Sequence, residues 1–149
     1  MSKLDAALLQ RNKKTMQTVS PLFDELNKTW EEIEKFFRQQ GILRDVLHGF
    51  GTLEDERYGP QADLLIGIQK QRGEWRICYG TYYYNNPEDV TNWTPVTECS
   101  TEVRIELLDH VNDLFEKLVK RNEEFIPELE QAVAKSHSVL EDLGIAKTK

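Results

Sequence analysis

Arg76 stands among Trp75, Tyr79 and the run Tyr82–Tyr84, the first grouping in this chain that could do chemistry. A guanidinium beside tyrosine rings can stack on and hydrogen-bond a base, a sugar or a proline-rich peptide. Read as a strand with period two, Arg76, Tyr82 and Tyr84 share one face, and they are the candidate ligand-binding residues. A second grouping is Asp109, His110 and Asp113, with Asp109 and Asp113 one helical turn apart. Metal or general-base chemistry uses such groups. A solvated, charged helix face is the simpler reading, so no metal site and no cofactor are expected. His48, His110 and His137 are far apart in sequence and in no ligand spacing. Gly49-Phe50-Gly51 lacks the Lys-Ser/Thr and the helix that follow in a phosphate loop. No nucleophile elbow is present, so no catalytic residue is named.

The third grouping is charge. Residues 1–20 hold Lys3, Arg11, Lys13 and Lys14 against Asp5, a net +3. Residues 101–149 hold seven Lys/Arg and eleven Asp/Glu, a net −4. Lys13, Lys14, Glu124 and Glu128 are therefore the candidate partner-binding residues. The whole chain carries −7, which argues against general nucleic-acid binding because that needs a cationic surface.

These residues must be positioned by a small number of elements. A chain of 149 residues fits one domain, 1–149, and 39% hydrophobic with 30% charged residues is a globular balance. No apolar run approaches the roughly 18 residues of a membrane span. The N-terminal stretch has no long apolar core and no cleavage pattern, so a cytoplasmic location is expected. There Cys78 and Cys99 are expected to stay reduced.

Residues 1–40 read as a helical arm. Leu9, Met16, Val19, Phe23, Leu26, Trp30, Ile33 and Phe37 recur at heptad spacing, with Asn12 in the one gap. Ser20-Pro21 predicts either one kinked helix or two in near-line. Residues 41–100 read as an antiparallel β-meander of three or four strands, the first near 46–53. At its centre Ala62–Tyr84 reads as a hairpin, with Gln69–Glu74 as the polar connection. Trp75 and Ile77 are placed on its core face. Residues 101–144 form the second helical arm, capped by Ser100 or Thr101 and interrupted by Pro127, and 145–149 are a tail. Leu108, Val111, Phe115, Leu118, Asn122, Phe125, Leu129, Ala132, Ser136, Val139 and Leu143 make its heptad row.

The fold class is thus α+β, with the two long helices expected to pair as an antiparallel helical hairpin. In this order of elements the chain resembles prefoldin subunits, which are cochaperones. The resemblance is of architecture and carries no residue across. The function expected is that of a non-catalytic interaction protein: an adaptor, assembly factor or chaperone-like protein acting through its helical arms or sheet edge. Its partner is another protein, with a homodimer as the expected state, and an acidic inhibitor of a basic partner is one form of this reading. The alternative is a small-ligand or peptide-binding domain using the aromatic sheet face, with or without catalysis by residues in no recognisable motif.

Overall fold

The computed structural model of the protein describes residues 5–145. Lys3 and the tail beyond Ile145 lie outside the described residues. The elements follow in the expected order: α1 (Ala6–Gln40), β1 (Val46–Asp55), β2 (Gly59–Gln71), β3 (Glu74–Tyr83), β4 (Asn92–Pro95), α2 (Thr101–Leu107) and α3 (Val111–Asp142). Asp5 caps α1 by accepting the Ala7 N–H at 2.8 Å. The helix then runs unbroken through Pro21 to Gly41, whose φ of 98° ends it. Ser100 caps α2, its Oγ accepting the Val103 N–H. The second arm is two helices, because one 3-10 turn at Leu108–His110 separates α2 from α3.

The four strands form one antiparallel sheet in the order β1-β2-β3-β4. Arg72 (φ 51°) and Gly73 (φ 84°) make the β2–β3 turn, and two positive φ values match the twist of a two-residue hairpin. Gln71 pairs directly with Glu74, so both strands run further than the predicted loop over 69–74. β4 ends at Pro95, on the sheet edge, where a missing N–H costs no ladder bond.

Val46, Ile66, Ile68 and Ile77 bury one sheet face against Trp30, Phe37, Leu107, Leu114 and Leu118. Ile77 belongs to this core as expected, but Trp75 is only half-buried. It pairs with Lys70 one step from the turn, and the Lys70 ammonium lies 5.5 Å from its ring centroid. The opposite face carries Leu65, Gly67, Cys78 and Gly80, all buried. A Cβ at Gly67 or Gly80 would stand 2.6 or 2.5 Å from the Trp93 ring, so the two glycines leave room for that indole.

The pairing of the long helices departs from the expected antiparallel hairpin. Trp30 Nε1 donates to Arg104 O at 3.1 Å, the Phe37 and Phe115 centroids are 5.5 Å apart, and Asn122 Nδ2 donates to Gly41 O at 3.1 Å. Positions along both helices advance together, so α1 and the α2–α3 arm cross the sheet in the same sense. The physical reason is the sheet: it ends with a short edge strand, and the chain re-enters the helical layer beside Trp30 instead of beside Gly41. The ends of α1 and α3 therefore leave the body at opposite ends. Every residue of α1 before Val19 is exposed, as is every residue of α3 from Ile126 to Val139. Among the described residues no helix is long and apolar enough to cross a membrane.

Candidate functional site

Arg76 is occupied within the fold. Its Nε donates to both carboxylate oxygens of Glu34, at 3.1 and 3.0 Å, and its Nη2 donates to Thr97 Oγ1 at 2.7 Å. Glu34 is 4% exposed and also accepts the Ile77 N–H at 3.3 Å. Ile77 lies beyond the last β4 partner of β3, since the ladder ends at Cys78–Pro95. The carboxylate thus stands in for a missing strand and is balanced by Arg76, with Arg38 at 3.6 Å.

Tyr82 and Tyr84 lie elsewhere. Six residues of strand separate Arg76 from Tyr82, about 20 Å. Tyr82 donates to Asp89 Oδ1, and Tyr84 donates to Asp63 Oδ1 at 2.7 Å. Each phenol is pushed up from its ordinary value, chiefly by its hydrogen bond to the neighbouring carboxylate. The three candidate ligand residues line no common cavity, because the strand pitch sets them apart and local acids take the hydroxyls.

The candidate partner residues are also dispersed. Lys13 and Lys14 are exposed on the free end of α1. Glu124 lines a shallow cleft with Asp45, Leu47, Lys117 and Arg121. Glu128 accepts from Arg44 Nη1 at 2.8 Å, and the Arg44 guanidinium lies 4.6 Å from the Phe125 centroid. Asn122 meets Gly41, and Lys14 is 27 residues up the same helix, about 40 Å away. The basic and acidic ends cannot meet within one chain.

Two arrangements were not foreseen. One is an apolar cleft of about 600 Å³ between α1 and α3, lined by Ile33, Phe36, Phe37, Val111 and Phe115 with Glu25, Lys28 and Glu32 at its rim. It depends on how α1 and α3 are set against each other, a tertiary fact with no signal in the heptads. The other is the meeting of His48, His110 and Asp113, whose nitrogen and carboxylate atoms lie within 4.8 Å of one another. Asp113 lies one turn from Asp109 in the sequence, but it meets His48, 65 positions earlier in the chain and 3.6 Å away. Asp109 is not in this cluster.

Cys78 and Cys99 are free thiols. Burial, then the Glu34 carboxylate, pushes Cys78 up to about 12. Burial raises Cys99 as well. Neither thiol is poised as a nucleophile, which needs a lowered value. Comparison with protein-family models, with curated proteins and with solved structures finds no match.

Proposed function

We propose that this is a non-catalytic interaction protein, an adaptor, assembly factor or chaperone-like subunit that binds through the free ends of α1 and α3. The observation that carries this reading is the continuation of the core rows into solvent. Leu26, Trp30, Ile33 and Phe37 pack on the body, and the same row proceeds outward through Phe23 and Met16 to Leu9, all three exposed. On α3, buried Leu114 and Leu118 lead outward toward exposed Ile126, Leu129, Val133 and Val139. Apolar rows of this length left in water mark interaction surfaces.

The first partner is a second copy of the chain. A two-fold axis across the long direction lays the basic end of α1 beside the acidic end of α3 from the other copy, in antiparallel sense and twice over. The helical hairpin that the heptads predict then forms between chains. A reducing setting such as the cytoplasm, where Cys78 and Cys99 remain thiols, suits this reading. Sedimentation equilibrium tests it: the parent is expected at twice the chain mass and a Met16→Lys/Val133→Lys variant at the chain mass with unchanged circular dichroism. A parent that stays at the chain mass at tens of micromolar removes the two-copy arrangement.

A second reading rests on the cleft beside Phe36. Its volume lies within the roughly 300–1,000 Å³ of small-molecule sites. An apolar ligand or one helix of a partner would fit there, in place of the aromatic sheet face first considered. Quenching of an environment-sensitive apolar dye by Phe115→Trp, with none by Trp93→Phe, would support it.

A further inference from the structure

We infer that His48, His110 and Asp113 form a binding site for a divalent transition-metal ion, with Zn²⁺ as the fitting occupant. The three residues come from three elements. His48 is on β1, facing the helical layer. His110 closes the 3-10 turn between α2 and α3. Asp113 lies in the first turn of α3. Both imidazoles are half-buried, and the carboxylate is exposed at the mouth.

The geometry suits zinc. Bonds of about 2.0–2.2 Å to nitrogen and oxygen put tetrahedral ligands roughly 3.3–3.5 Å apart. His48 Nε2 and Asp113 Oδ2 are already at 3.6 Å. All three ligand atoms lie within 4.8 Å of one another, and a small rotation of the exposed carboxylate or of His48 closes what remains. Two imidazoles and one carboxylate are a borderline-soft donor set that zinc accepts and magnesium, which prefers oxygen, does not. Three protein ligands leave one coordination position for water on the cleft side.

The surroundings are organised around His110. β1 skips a register step between Gly49 and Gly51, so Phe50 is the extra residue of a bulge. Bulges re-aim a side chain. Here Phe50 stacks on His110, with centroids 4.4 Å apart and planes at 22°, and Tyr79 backs it at 6.5 Å. The His48-Gly49-Phe50-Gly51 segment thus supplies one ligand and the ring that fixes a second. The cleft beyond, about 110 Å³, is lined by Glu116, Lys117 and Lys120 as well as His48 and Asp113. Lys120 is paired with Glu116 at 3.3 Å, so its charge on a bound cation is largely offset. Lys117 and the positive end of the α3 dipole oppose the cation, and Asp113 with the two imidazoles outweighs them by direct bonding. An ion there joins β1 to the α2–α3 corner and fixes the direction in which α3 leaves the body.

Isothermal titration calorimetry of the chelator-treated full chain with Zn²⁺ is the test, with Mg²⁺ as the comparison ion. One Zn²⁺ per chain is expected, with no Mg²⁺ heat. Outer-shell partners alone change metal affinity about 10–100-fold, so loss of a ligand in His48→Ala or His110→Ala should weaken Zn²⁺ at least about 100-fold. Asp113→Asn, a near-isosteric change at an exposed position, should weaken it at least tenfold. His137→Ala, remote on α3, should leave it unchanged. Co²⁺ in the same site should show the intense visible bands of tetrahedral coordination, and Asp113→Asn should alter them. Absence of Zn²⁺ binding at millimolar ion, equal binding of Mg²⁺, or Zn²⁺ affinity unaffected by Asp113→Asn and His110→Ala would each overturn the assignment.

Discussion

Arg76 and Glu34 form a two-point contact, Nε to Oε1 at 3.1 Å and to Oε2 at 3.0 Å, at the place where β4 stops covering β3. The pair does the work of a missing strand: Glu34 accepts the Ile77 N–H, and Arg76 neutralises Glu34 and reaches Thr97 beyond the edge. Removing one member leaves the other half-dry. Glu34→Ala should cost about 2–4 kcal/mol, below the roughly 3–5 of a fully buried pair because the Arg76 side chain keeps 25% of its exposure. Urea unfolding would measure it. If Glu34→Ala and Arg76→Met together are no better than the sum of the singles, the coupling is absent.

Gly67 and Gly80 should respond differently to a methyl group. Around Gly80 the near atoms all belong to the Trp93 ring, whereas Gly67 also faces Val46 O at 2.8 Å. Each Gly→Ala change should cost about 1–3 kcal/mol by overpacking. In a Trp93→Leu background the cost at Gly80 should largely vanish and that at Gly67 should persist. Equal relief at both positions would mean that the backbone of β1 gives way.

Trp30 is the anchoring indole of the core, and Trp75 is not. Trp30 is fully buried and its Nε1 donates to Arg104 O. Trp30→Ala should cost about 3–5 kcal/mol, and Trp30→Phe about 1–3 through the unsatisfied carbonyl. Trp75→Ala should cost less than Trp30→Ala, since Trp75 is only partly buried at the margin of the core. Thermal melts of the three variants order them. A Trp75→Ala melting point below that of Trp30→Ala contradicts the packing described above.

Cys78 should make the fold weaker in alkali. Its folded value, about 12, lies above the ordinary 9.0, so the unfolded chain loses this proton first. The stabilisation is complete below pH 9 and is lost as pH rises toward 12. A Cys78→Ala variant should show a flatter decline in unfolding midpoint over that window. Alkylation at neutral pH should reach Cys99 before the buried Cys78.

Hydrogen exchange should divide the molecule by element. Residues 6–18 and 128–139, exposed along their length, should exchange fast in dilute protein and slow at concentrations where two copies associate. Protection on association confined to 59–95 would move the interface to the sheet.

Local chemistry alone determined most of the elements. Asp5, Gly41, Ser100 and Gly144 mark helix ends through caps and positive φ, which depend on residues within one turn. Alternation placed Ile66, Ile68 and Ile77 inward because the pleat has a period of two. Heptad rows foretold the apolar face of α1, but on the second arm the buried Leu107 and Leu114 lie beside the predicted row and Leu108, a member of it, is exposed, and a row does not carry the direction of its partner. That direction came from the path through the sheet, which brings Arg104 to Trp30 and Asn122 to Gly41. Trp75 fell short of the core because the two-residue turn at Arg72-Gly73 lies beside it, at the rim of the helical layer. Arg76 among aromatics suggested a ligand, and only the tertiary structure set Glu34 against it, 42 residues earlier in the chain. The same holds for His48 with Asp113. Caps, turns and periodicity are interactions between near neighbours and are written in the sequence directly, whereas an ion pair or a ligand set across elements exists only once packing has fixed which faces meet.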